Sequence, residues 1–150
     1  MTFFKTNSDN EDFKLLVSLL DAHLAMTDGD EHNFYNQFNK ITHIKHVIVV
    51  YENQKPVGCG AIKKYDTATA EVKRMYVAPE MRGQGIAGKI LAVLELWALE
   101  LDFKKCILET GVRQPDAIAL YKKSGYAIIP NYGQYENVEN SVCFEKNLKN

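Results

Sequence analysis

From Phe13 onward, apolar residues return every three or four positions, at Leu16, Val17, Leu20 and Leu24. That spacing lines one face of an α-helix. With Ser8 and Glu11 read as a capping box, it predicts an amphipathic helix over about 9–26. After the polar stretch TDGDEHN, Phe34, Phe38 and Ile41 suggest a second short helix. The pattern then changes. HVIVVYE is rich in β-branched residues and reads as a strand, NQKP turns the chain into VGCGAIKKY, and DTAT turns it again into AEVKRMYV. The expected result is an antiparallel meander over about 46–78.

Pro79 ends the third of these strands. From Gln84 a helical period takes over, at Ile86, Ile90, Leu91, Leu94, Trp97, Ala98 and Leu101. KKCILETG is the next strand, and a long helix before it implies a parallel pairing with a right-handed crossover. A shorter helix follows, with Pro115 and Asp116 in its first turn, Ile118 and Tyr121 three apart, and Gly125 closing it in the left-handed conformation. YAIIPNY and SVCFEKNL read as closing strands separated by GQYENVEN. Repeats, low-complexity stretches and linkers are absent, so residues 1–150 are expected to form one domain.

Composition narrows the function. Lys and Arg total 18 against 19 for Asp and Glu, a formal net charge of -1, so nothing draws the chain as a whole to nucleic acid or to a membrane. Any anion site has to be local. Without a long apolar run or a signal-like N-terminus, the expected location is cytoplasmic. Cys59, Cys106 and Cys143 sit far apart in apolar runs and are expected to be buried free thiols. The histidines, including the HIKH pair of His43 and His46, lack neighbours that would complete a zinc set, and DGDEH lacks the alternating ligands of a calcium loop. No metal is expected.

The chemistry concentrates in MRGQGIAGK, Met81 to Lys89, at the start of the long helix. The first backbone N–H groups of a helix have no intrahelical partner, and the macrodipole adds positive charge there, so glycines that expose those groups make an anion seat. The same glycines also suit a tight turn and close helix packing. Gly83, Gly88 and Lys89 satisfy GxxxxGK, but Ile90 stands where a P-loop needs a hydroxyl for magnesium. Gly83, Gly85 and Gly88 spell GxGxxG, with Glu109 near the end of the following strand, as in a nicotinamide-dependent oxidoreductase. That fingerprint requires repeated βαβ units, whereas a meander precedes these glycines.

A third reading takes Arg82, Gly85 and Ala87 as an R/Q-x-x-G-x-G/A pyrophosphate loop. On this motif, and on EVKRMYVAPEMRGQGIAGKIL and LETGVRQPDAIALYKKSGY, the chain strongly resembles the GNAT superfamily of acyl-CoA-dependent N-acyltransferases over about Val47 to Leu148. The resemblance implies an α+β fold with a single mixed, mostly antiparallel sheet of about seven strands. Helices would lie on both faces, and the parallel fourth and fifth strands would splay apart. It implies acetyl-CoA as co-substrate, direct transfer to an amine in a ternary complex, and a small-molecule or peptide amine as acceptor. A homodimer is a habit of the family. A non-catalytic CoA-binding sensor on the same fold is the alternative.

By the same resemblance, the backbone of Arg82, Gly83, Gln84, Gly85, Ile86, Ala87 and Gly88 would hold the pyrophosphate. Met75, Tyr76 and Val77 would offer main-chain groups to pantetheine and to the thioester carbonyl, the cofactor lying like an added strand. Tyr121 matches the tyrosine that protonates the leaving thiolate, though an amphipathic helix also buries a tyrosine simply for packing. Glu71 is the candidate base, four residues before Met75, with strand alternation placing Glu71, Lys73 and Met75 on one face. It reads equally as a strand carboxylate paired with lysine, and Glu109 is the other candidate. Met26 to Phe34 and Tyr132 to Glu139 would border the acceptor. There, Tyr132, Tyr135, Glu136 and Glu139 suit either an aromatic, acidic pocket or an exposed loop.

Overall fold

The computed structural model describes residues 1–28 and 43–149. Seven strands and three helices follow in the order β1 (Thr2–Thr6), α1 (Glu11–Asp28), β2 (His46–Glu52), β3 (Lys55–Lys64), β4 (Thr69–Val77), α2 (Ile86–Glu100), β5 (Lys105–Gly111), α3 (Pro115–Lys123), β6 (Ala127–Ile129) and β7 (Ser141–Asn147). The strands form one mixed sheet in the order β1-β2-β3-β4-β5-β7-β6. Every neighbouring pair is antiparallel except β4–β5. A doubly wound parallel sheet, which the dinucleotide fingerprint needs, is not what this chain builds.

Strand alternation divides the core into two layers. In β2, Val47 and Val49 face α1, where Phe13, Leu16, Val17 and Leu20 pack on them with Cys59 and Ala61. Ile48 and Val50 face the other way, against Ile86, Ile90, Leu91, Leu94 and Ala98 of α2. All four β2 valines and isoleucines are fully buried, each burial stabilising by roughly 1.5–3 kcal/mol. The glycines of β3 let α2 come close: a Cβ on Gly60 would lie 2.7 Å from Met75 Sδ and 2.8 Å from Ile90 Cγ2.

Three local expectations fail. Asn10, not Ser8, caps α1, its Oδ1 accepting the Phe13 N–H at 2.9 Å. The Ser8 hydroxyl instead accepts the Ile44 N–H at 2.8 Å, tying the approach to β2 onto the start of α1. Strand β1 has no counterpart in the sequence pattern. It is a five-residue edge strand with Phe3 half-buried and Phe4 exposed, too little alternation to detect.

The third failure matters most. Along β3 and β4, Cys59 faces Tyr76 but Ala61 faces Lys73, two steps on one strand against three on the other. The surplus is a bulge at Arg74, whose φ is 59°. It reverses the parity of β4, so Met75 packs in the α2 layer while Glu71 and Lys73, which flank the α2-facing Val72, point to the opposite face. The single face proposed for Glu71, Lys73 and Met75 does not exist. The short helix suggested at Phe34, Phe38 and Ile41 lies outside the described residues.

Candidate active site

Parallel pairing between β4 and β5 covers only Thr69↔Lys105, Ala70↔Cys106 and Glu71↔Ile107. Past Glu71 the two strands part, β5 staying paired with β7 and β4 with β3. One backbone edge of β4 from Val72 to Val77 is thereby left facing a cleft of about 750 Å³. Met75, Tyr76 and Val77 line it. An unpaired strand edge is a template for an extended ligand.

The loop leading into α2 closes one end of this cleft. Pro79 to Met81 form a 3-10 turn, and the Arg82 N–H bonds the Pro79 carbonyl at 3.3 Å. The Arg82 side chain folds back, with Nε donating to the Val77 carbonyl at 2.8 Å and the guanidinium over the Tyr76 ring at 5.6 Å. It fastens the loop to the end of β4. Gly83 and Gly85 adopt φ of 80° and 79°, which β-substituted residues reach only with strain. Gly85 is the N-cap and offers no side chain, so the amides of Ile86, Ala87 and Gly88 open the helix uncapped. A Cβ at Gly83, Gly85 or Gly88 would meet no atom within 4 Å, so it would project into open space over these amides. The seat therefore fits a diphosphate: unpaired N–H groups, a helix dipole and no side chain in the way. Gln84 is exposed beside it and is not among the cleft-lining residues.

Tyr121 forms the facing wall. It is buried on α3 and packs its ring against Tyr126 at 6.0 Å and Phe144 at 5.8 Å. The helix end is held firmly: Gly125 turns the chain at φ 94°, and Lys146 Nζ donates to the Ser124 carbonyl at 2.9 Å and to Glu95 Oε1 at 2.8 Å. Burial, helped by the charge of Glu109, raises the Tyr121 phenol above its ordinary range. Its phenol is held in place and keeps its proton at neutral pH.

The α1 side of the cleft carries a cluster of polar side chains. Glu71 is 7% exposed and accepts the Tyr132 hydroxyl on Oε2 at 2.6 Å. Lys73 Nζ lies 3.7 Å from the same oxygen and 3.4 Å from the Tyr135 hydroxyl. Burial lowers the Lys73 pKa, while Glu71 and Glu109 oppose that shift. Glu109 accepts the Ser141 hydroxyl at 2.7 Å. Arg74 turns toward α1, where its Nη1 pairs with Asp21 at 3.2 Å, and the Cys59 thiol donates to the Arg74 carbonyl at 3.2 Å.

The proposed site residues, Gln84 excepted, thus share one cleft, with Glu71 and Glu109 both on its wall. Sequence reasoning did not single out Lys73 for this role, and it left Tyr135 between a pocket and an exposed loop; at 1% exposed, Tyr135 is part of the wall. Glu136 and Glu139 are exposed and stay outside it. The available signal was Lys73-Arg74, adjacent cations within a largely buried strand, which only a bulge can bury on one face. The three cysteines are free and buried, and burial pushes the Cys59 and Cys106 thiols up to about 12. Among the described residues, no cluster of His, Cys, Asp and Glu could hold a metal ion, and no helix is long and apolar enough to cross a membrane.

A splayed parallel pair opening onto an uncapped, glycine-lined helix start is the architecture of coenzyme A-dependent acyltransferases. The profile of the Acetyltransferase (GNAT) family matches residues 14–126, and the chain belongs to that family. It is similar to an IAA acetyltransferase of Azospirillum brasilense, 43% identical over 94 residues that make up 61% of each chain, so it spans about three fifths of that relative's length. A Klebsiella pneumoniae structure, provisionally described as an acyl-CoA N-acyltransferase, superposes with a TM-score of 0.83 at 32% identity, covering 99% of this chain and 97% of that one. A GNAT family acetyltransferase from Elizabethkingia anophelis, solved with acetyl-CoA bound, shares the fold at a TM-score of 0.68 and 20% identity, covering 98% and 97% of the two chains.

Proposed function

We propose that the protein, acting as one domain, transfers an acetyl group from acetyl-CoA directly to a primary amine in a ternary complex. The observation that carries this reading is the unpaired edge of β4 running into the uncapped amides of α2 within one cleft. The bound thioester supplies an acyl group activated for attack. The chain supplies the rest. Backbone N–H groups from Gly83 to Gly88 neutralise the diphosphate, with Arg82 and Gln84 framing the loop and Ile86 and Ala87 opening the helix. Met75, Tyr76 and Val77 hold the extended arm by main-chain pairing, which fixes the reacting carbon in place.

An amine acceptor arrives mostly as ammonium and has to lose a proton before it attacks. Glu71 takes that proton, being buried in the cleft and oriented by its partners. Tyr121 holds the proton that the departing sulfur needs, and burial keeps it protonated until then. No step calls for a metal or for a cysteine nucleophile.

The test is a panel of amines scored for free thiol released from acetyl-CoA, alongside thermal shifts with acetyl-CoA and NADH. A ligand at a hundred times its dissociation constant adds about 2.7 kcal/mol of stability, so acetyl-CoA is expected to raise the melting point and NADH to leave it unchanged. Stabilisation by NADH alone would overturn the reading.

A further inference from the structure

We infer that Tyr132 is a positioning residue for Glu71: its hydroxyl reaches across from the β6–β7 loop to fix the orientation of that carboxylate. The inference rests on Glu71 being the base.

Three observations support it. The contact is short, 2.6 Å, and places a neutral donor on an anionic acceptor. Oε2 also faces Lys73 Nζ at 3.7 Å, so two side chains of the protein fix the same carboxylate oxygen. The ring is gripped independently of its hydroxyl. Tyr65 and Tyr135 meet it edge to face, with centroids at 5.3 Å and 5.7 Å. The hydroxyl is therefore carried on a rigid mount, and its presence serves the carboxylate rather than the loop. Burial and the neighbouring Glu71 charge raise the Tyr132 phenol, which keeps it a donor across the working range.

The experiment crosses two substitutions. Tyr132→Phe keeps the ring contacts and loses only the hydroxyl; it should lower kcat by about tenfold with KM for acetyl-CoA unchanged, and should add no further loss in a Glu71→Gln background, since it acts through that carboxylate. In a protein carrying 3-fluorotyrosine at position 132, the ¹⁹F resonance should shift when Glu71→Gln is introduced, which keeps the test alive if Tyr132→Phe does not fold. Equal losses from Tyr132→Phe with and without Glu71→Gln, or an unmoved ¹⁹F resonance, overturn the inference. Glu71→Gln as fast as wild type overturns Glu71 as base, and this inference with it. A slow Glu71→Gln beside a Tyr132→Phe as fast as wild type overturns this inference alone.

Discussion

The two ends of the cleft are built from different materials. The end at Gly83 to Gly88 is made of backbone: uncapped amides, two left-handed glycines and a helix dipole, with no side chain projecting over them. The end at Glu71 is made of side chains drawn from β4, β5 and the β6–β7 loop, held by bonds such as Tyr132 to Glu71 and Ser141 to Glu109. Amides do not titrate and cannot be exchanged by substitution; they are altered only by changing the backbone that presents them. Carboxylates, phenols and the Lys73 ammonium do titrate, and single substitutions can tune them. The proposed function, with a cofactor gripped at one end and an amine met at the other, calls for this division.

The sharpest way to separate the two ends is Tyr121→Phe. Loss of the proton donor should lower kcat by about 10²-fold or more while leaving the calorimetric affinity for CoA unchanged. Equal losses in both would mean that Tyr121 belongs to binding instead. Gly85→Val is the mirror experiment: a β-branched residue forced to φ 79° strains the loop and puts a side chain over the seat, so CoA affinity should fall by about tenfold or more. Its turnover at saturating cofactor should stay near wild type.

A smaller effect is expected from Lys73→Met. Removing the ammonium takes away the partner that Glu71 and the Tyr135 hydroxyl share. The rate should fall by about threefold to tenfold with no change in CoA affinity, read from initial rates beside calorimetry. A further effect, on stability and not on rate, is expected in alkali. Tyr121, Tyr132 and Tyr135 are all raised by burial. Above pH 10 the unfolded chain gives up phenol protons that the folded chain keeps. The unfolding free energy should therefore hold below pH 10 and decline above it, by up to roughly 1.4 kcal/mol per pH unit per phenol. Denaturant titrations of Tyr121→Phe should show a shallower decline.

The same division explains what could be read from the letters alone. A backbone site leaves a contiguous trace, because the glycines that expose amides must be neighbours in the chain; MRGQGIAGK shows both the seat and the start of α2. The meander and the parallel β4–β5 pair were legible for a similar reason, since each is marked by local periodicity and short turns. A side-chain site leaves no such trace. Lys73 and Tyr135 are 62 positions apart and meet only because the β6–β7 loop folds back over β4. Nor does an arginine advertise a positive φ, so the bulge at Arg74, and with it the true face of Met75, was hidden. Strand β1 escaped because an edge strand with one packed residue carries almost no pattern.

The surplus residue at Arg74 makes β4 a strand with two handednesses of address. Deleting that one residue would restore regular pleating and leave Met75 toward α2 and Tyr76 toward α1, because Lys73 and Tyr76 already sit opposite Ala61 and Cys59. What a single-codon deletion would remove is the tie from Arg74 to Asp21 of α1, while an extra residue inserted elsewhere in the strand would turn one wall of the cleft inside out.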